Sequence, residues 1–266
     1  MKTLADSDED SIIERLCNCL SQGSDVIVGP GDDCAVTRLA EGSLQLLKTD
    51  CVVEGIHFYP NELAERVGWK AMARVVSDMA AMGGKPSSMV VTLILKPSTS
   101  ISWLEGLYRG MQHCADSFQF SIVGGETSAA PEGSANMISV AGSGVVKEQQ
   151  LVLRSTAQIG DHIFVTGKLG GSLTGKHLDF TPRIREAQWL TQHCKPSSMM
   201  DLSDGLAKDL PRMTKLSNVG FHIDLISLPL TDGCHVEQGL SDGEDYELLF
   251  TVAEDCVSRL EDEWPK

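Results

Sequence analysis

The sequence predicts an α/β protein, built as α+β layers in two domains. Three observations predict it. Short β-like runs mix with amphipathic helical runs along the chain, the strands are grouped early, and the composition shifts at 147–150 (KEQQ). That shift divides the chain into 1–147 and 148–266. With 266 residues there is enough chain for two modest domains with real cores. Hydrophobic residues make up 42% and charged residues 22%, a balance that folds rather than stays disordered.

The elements follow in order. Residues 11–20 (SIIERLCNCL) read as an amphipathic helix capped by Asp8 or Asp10, with Ile12, Ile13, Leu16 and Leu20 on one face. Strand-like runs at 25–29, 34–39, 44–50 and 51–58 are separated by Gly/Asp turns. Residues 62–82 read as a helix stopped by Gly83-Gly84. A buried strand is expected at 87–95, a helix at 103–116, a strand at 120–123 running into a Gly124-Gly125 turn, and a strand at 136–146. In the second half, 161–166 reads as a strand entering a Gly-rich turn. Helices are expected at 182–193 and 204–216, strands at 221–225 and 246–252, and a last helix from Ala253. No low-complexity tract or short repeat interrupts this order.

Net charge narrows the function. At −15 the chain lacks the basic stripe that a nucleic-acid surface needs. A nucleotide substrate remains compatible, because Mg²⁺ neutralises both acids and phosphates. Eight cysteines show no CxxC pair and no zinc-like spacing, and no apolar run is long enough to span a bilayer. The polar, acidic N-terminus has no apolar signal core. Free thiols in a cytoplasmic setting, with no membrane partner, are the expectation.

Acids beside Gly, Ser or Thr are the chemically informative feature. They are Asp32 and Asp33 in GPGDDCA, Asp50 in KTDCVVEGIHF, Asp78 in VVSDMAAMG, Glu126 in VGGETS, Asp201 and Asp204 in MDLSDGL, and Glu244 and Asp245 in SDGEDYELLF. Hard oxygen ligands gathered around Mg²⁺ and a polyphosphate account for the set. Each has a plainer reading. Asp32-Asp33 could be a β-turn, although adjacent carboxylates repel and a turn alone favours Asn or Ser. Thr49-Asp50 alone reads as a polar strand end, and a lone His57 as structural or solvated. Asp78 lies in an apolar run, which calls for a metal or Arg partner; Lys70 and Arg74 at helical spacing make an exposed face the alternative. Gly124-Gly125 suits close phosphate approach, or simply a turn. Gly170, Gly175 and Lys176 mimic a P-loop, but His177 follows where Ser or Thr is needed, so that reading is rejected in favour of a Gly-rich turn open to phosphate contact. Ser203 or Asp204 could cap a helix as well as serve a site.

Taken together, GPGDDCA, KTDCVVEGIHF, KAMARVVSDMAAMG, IVGGETS, LRSTAQIGDHIFVTGKLGGS, MDLSDGL and GEDYELLF, in this order from Gly29 to Phe250, resemble the thiamine-monophosphate kinase family. That family belongs to the superfamily of aminoimidazole ribonucleotide synthetase and selenophosphate synthetase. The resemblance implies a two-domain protein whose N-terminal sheet domain makes a homodimer. It implies transfer of the ATP γ-phosphoryl group directly to thiamine monophosphate, giving thiamine diphosphate. By matching motif, Mg²⁺ would be held by Asp33, Thr49, Asp50, Asp78, Asp201 and Asp204, with Glu126 replacing the usual Asp. ATP would meet Gly125, Glu126, Arg154 and Ser203, and thiamine monophosphate His57 and Glu244. No residue is expected to act as general base, because a phosphate oxygen is already a nucleophile.

The chain also departs from the pattern. Lys48 stands where a metal-binding Ser is common, Val75 where Asn is usual, and Asp242 where Gly is usual. The chain stops at Trp264-Pro265-Lys266, short of the family's length, so the C-terminal domain is expected to be truncated. Two other readings follow: a relative that binds nucleotide without turnover, and another ATP-dependent enzyme of the superfamily.

Overall fold

The computed structural model describes residues 3–39 and 42–264. Helix α1 (Glu9–Cys17) begins at Asp8, whose side chain accepts a hydrogen bond from the Ser11 N–H. The side chain of Asp10, the alternative cap, lies outside the described residues. The expected apolar face is largely exposed at Ile13, Leu16 and Leu20.

Strands β1 (Val26–Val28), β2 (Ala35–Arg38) and β3 (Ser43–Val53) come next, then helix α2 (Ala64–Ala81), strand β4 (Lys85–Leu95), helix α3 (Ile101–Phe118), and strands β5 (Ser121–Ala129) and β6 (Met137–Lys147). The six strands form one sheet in the order β1-β2-β3-β6-β4-β5. Pairing is antiparallel except between β4 and β5. Parallel neighbours need a crossover, and α3 supplies it.

Two expectations are corrected in this sheet. The runs at 44–50 and 51–58 are one long strand to Val53, followed by a turn. Gly124-Gly125 is not a turn, because β5 continues through it after a register shift at Val123. The glycine serves packing: a Cβ on Gly125 would sit 2.1 Å from the Val91 carbonyl oxygen of β4.

The second half holds strand β7 (His162–Val165), helices α4 (Lys176–Asp179) and α5 (Ile184–His193), strand β8 (Ser198–Asp201), helices α6 (Leu206–Leu216) and α7 (Val236–Ser241), strand β9 (Leu248–Val252) and helix α8 (Glu254–Glu263). Its three strands form an antiparallel sheet in the order β7-β9-β8. The expected strand at 221–225 is irregular chain entering a 3-10 turn at Leu225–Ser227. Strand β8 and helices α4 and α7 were not expected. Each is too short to show a period, and β8 is buried at all four positions, so it has no polar face to alternate.

Helix α2 joins the two sheets. Fourteen of its 18 residues are buried. Val67, Met72, Val75 and Met79 pack into the core of the first sheet, and Ala80 and Ala81 into that of the second. Small residues at its C-terminal end let the second layer approach closely. Gly83, at φ +74, ends the helix as expected. Among the described residues no helix is long and apolar enough to cross a membrane.

Candidate active site

Three carboxylates meet where α2 faces both sheets. Asp33 leads into β2, Asp78 projects from the last turns of α2, and Asp201 ends β8. One oxygen from each lies within 4.8 Å of the others, and all three residues are buried. Like charges in a buried space are costly, and each acid has a partner that reduces the cost. Asp78 meets the Lys48 ammonium at 2.6 Å. Asp33 pairs with the Arg154 guanidinium. Asp201 accepts the Ser77 hydroxyl at 2.6 Å. Compensation is incomplete: Asp33 Oδ2 is buried without a hydrogen-bond partner.

Burial raises the Asp33 carboxyl to about 6; Arg154 opposes the rise and the charge of Asp32 adds to it. Asp201 also rises to about 6, by burial and then by the charge of Asp33. Burial pushes Asp78 up as well, against the pull of Lys48. Burial works against the Lys48 ammonium too, yet the charge and hydrogen bond of Asp78 outweigh it and hold Lys48 protonated.

A second buried cluster lies further toward the start of α2. Lys70 is fully buried. Its Nζ reaches Glu244 Oε2 at 2.7 Å, His177 Nδ1 at 2.8 Å and the His57 carbonyl at 2.8 Å. Burial alone would raise the Glu244 carboxyl, but the His177 hydrogen bond and the Lys70 charge bring it down to about 2. Burial pulls Lys70 below its ordinary value despite Glu244. The carboxylate therefore gains what the ammonium partly loses, and the net worth of the pair is smaller than Glu244 alone indicates. His57 Nδ1 accepts the Val53 N–H at 3.0 Å, which leaves the ring proton on Nε2. Burial and the positive charge of Arg74 lower its pKa and keep it neutral.

The segment carrying Glu244 is held by the MDLSDGL segment. The Glu244 N–H donates to the Ser203 carbonyl at 2.7 Å and the Tyr246 N–H to the Leu202 carbonyl at 2.9 Å. Glu244 and Tyr246 both adopt φ +51, which side chains disfavour. Backbone strain of this kind persists where surrounding contacts impose it, as these two bonds do here.

The sequence-derived residues are not all in one place. Lys48 and Asp50 share one face of β3, and strand alternation puts exposed Thr49 on the other. Asp50 lies 3.0 Å from Arg74 Nε, beside the three-carboxylate group but outside it. Asp204 is half-exposed and pairs with Arg212. Glu126 is exposed on β5, where it accepts a hydrogen bond from the Ser128 hydroxyl at 3.4 Å. The helix cap at MDLSDGL is Gly205, not Ser203 or Asp204. The Gly-rich loop does not leave its amides open for phosphate, since Gly170 and Gly171 donate to Asp245 and Asp242. Asp78 is buried and its partner is Lys48, so the exposed-face alternative fails, and Lys70 is buried rather than solvated. Sequence reasoning missed Lys70, His177 and Ser77 as site residues. The available signal was a polar stripe, Lys70, Arg74 and Asp78 at i, i+4 and i+8, on an otherwise apolar helix.

Comparison with known proteins places these features in a family context. Residues 31–146 match the model of the AIR synthase related protein, N-terminal domain. A thiamine-monophosphate kinase of Rhodopirellula baltica is 36% identical over 95% of this chain and 84% of its own length. One from Escherichia coli K12 is 35% identical over 86% of this chain and 78% of its own. Among solved structures, AaThiL complexed with AMPPCP and TMP superposes with a TM-score of 0.87 at 29% identity, covering 96% of this chain and 88% of that one. A HypE–HypF complex matches at 21% identity and TM-score 0.73, a likeness of fold alone.

Proposed function

The chain belongs to the thiamine-monophosphate kinase family, and we propose that it transfers the γ-phosphoryl group of ATP to the phosphate of thiamine monophosphate. The bond from the γ-phosphorus to its bridging oxygen breaks, a phosphate oxygen of the acceptor bonds to that phosphorus, and ADP leaves with the electron pair. The observation that carries the reading is the buried Asp33–Asp78–Asp201 group with the unpartnered Asp33 Oδ2. A site for phosphoryl transfer to a phosphate needs no general base, and this one offers cations and acids rather than a nucleophile–base pair.

The residues fit Mg²⁺. The donors are hard carboxylate oxygens, close enough to share one ion, and one is buried with nothing to accept from. Asp33, Asp78 and Asp201 would hold the metal, with Asp50 and Asp204 beside them. Bound there, Mg²⁺ would neutralise phosphate oxygens and hold them in line. Arg154, Ser203, Gly125 and Glu126 are assigned to ATP. The placement of Arg154 on Asp33 supports its share; the exposure of Glu126 on β5 makes its share depend on nucleotide approaching that strand. His57 and Glu244 are assigned to thiamine monophosphate. His57 would present a neutral Nε2–H as a hydrogen-bond donor, and Lys70 would fix the Glu244 carboxylate for it. A homodimer through the six-stranded sheet and a cytoplasmic setting complete the proposal. Eight free cysteines support the setting.

The test is direct detection of thiamine diphosphate from the purified chain, ATP, Mg²⁺ and thiamine monophosphate, with and without chelator. Chelator-sensitive product is expected. ATP binding without product would replace this proposal with a nucleotide-binding relative that does not turn over.

A further inference from the structure

We propose that Lys48 is a tethered cation that fills one cation position of the Asp33–Asp78–Asp201 group, so that the group takes fewer divalent ions than it would with a small neutral residue there. This rests on the metal-binding reading above and concerns how many ions that site holds.

The geometry is specific. Lys48 lies on β3 directly across the sheet from Gly142 of β6, and its ammonium sits 2.6 Å from Asp78 Oδ1. Val75 and Met79 of α2 fill the space over Gly142, so the helix lies close to this strand face and brings Asp78 within reach of the ammonium. The three carboxylates have three different partners. Asp33 takes a guanidinium, Asp201 a neutral hydroxyl, and Asp78 the ammonium. Of these, the ammonium is the compact, strongly hydrated point charge that most resembles a small metal ion.

Charge then limits occupancy. The three carboxylates and Asp32, which shares Arg154 with Asp33, face two fixed cations, Lys48 and Arg154, so a single divalent ion already neutralises the group and a second would reverse its sign. A second ion on Asp78 would have to expel the ammonium, and a buried charge that loses its partner is strongly penalised. Asp33 Oδ2, which has no partner, is the vacant ligand for the one ion the group accepts.

The experiment counts Mn²⁺ bound to the full chain by the loss of the free-ion EPR signal, comparing the native protein with Lys48→Ser and Lys48→Arg. Lys48→Ser is expected to bind about one more ion per chain, and Lys48→Arg to keep the native number. Equal number and equal affinity in the native and Ser proteins would overturn the proposal while leaving the metal reading intact. No Mn²⁺ on either protein would overturn both. Should the Ser variant not fold, the native protein still decides. Reductive methylation followed by mass spectrometry should find Lys48 equally or better protected at saturating Mn²⁺, and increased labelling would mean that the ion displaces it.

Discussion

Lys70 shows how a single residue can be misread from sequence and yet hold a site together. Lysine in a helix is ordinarily a solvated surface residue. Here the helix turns it inward, and it survives burial because Glu244, His177 and a carbonyl surround its ammonium. Lys70→Met strands the Glu244 charge and should cost about 3 kcal/mol in urea unfolding, with a raised KM for thiamine monophosphate. The pH sign follows from Glu244. Its folded pKa is depressed from 4.5 to about 2, so its contribution is present above pH 4.5 and is lost as pH falls toward 2. Glu244→Gln should therefore flatten the acid limb of the stability profile in that window.

Asp201 behaves in the opposite sense. Its folded pKa is raised from 3.8 to about 6, so the folded state holds the extra proton. Stability without metal declines as pH rises from about 4 through 6. Asp201→Asn should raise the Tm of chelated protein at pH 7.5, leave it near native at pH 4, and abolish turnover with Mg²⁺. A destabilised variant at pH 7.5 would refute the repulsion on which this rests.

Among the elements, β5 gives a controlled comparison between two adjacent residues. Gly125 presses on the Val91 carbonyl, whereas a Cβ on Gly124 would come no closer than 4.0 Å to Val90. Gly125→Ala should cost about 2 kcal/mol of stability or shift the strand, and Gly124→Ala should stay within about 0.5 kcal/mol of native. Denaturant midpoints of the two variants test the pair together. The element also explains a failed expectation. Adjacent glycines signal a turn by local chemistry, but this pair answers to the neighbouring strand. Long amphipathic elements such as α2, α3 and α5 were legible because they repeat a period over several turns. Four-residue β8 was not, because full burial erases alternation.

For the whole molecule, α2 decides whether the two sheets behave as one. It contributes side chains to both cores, and its Lys70 reaches Glu244 and His177, and its Ser77 reaches Asp201, in the second half. Trp69 Nε1 donates to the Phe180 carbonyl at 2.8 Å, and Arg66 pairs with Asp179, adding further ties along the same helix. Unfolding should accordingly be one cooperative transition, with tryptophan fluorescence and far-UV circular dichroism coincident. Two resolved transitions would show that the halves fold independently.

From sequence alone, the motifs in their order establish the family, and the periodic runs establish an α/β chain with most of its helices. These are local properties, written in neighbouring residues. Which acids share a site was a tertiary outcome. Asp33, Asp78 and Asp201 come from a strand entry, a helix end and an unexpected strand, while Asp204, Glu126 and Thr49 lie outside their group. Lys70 became a buried cation, and Lys48 a partly buried one, for the same reason. A charge is placed inside only when distant chain supplies its partner, as where Lys70 meets Glu244, 174 residues further on. No local pattern carries that pairing, because the energy that fixes it appears only when both layers close on α2.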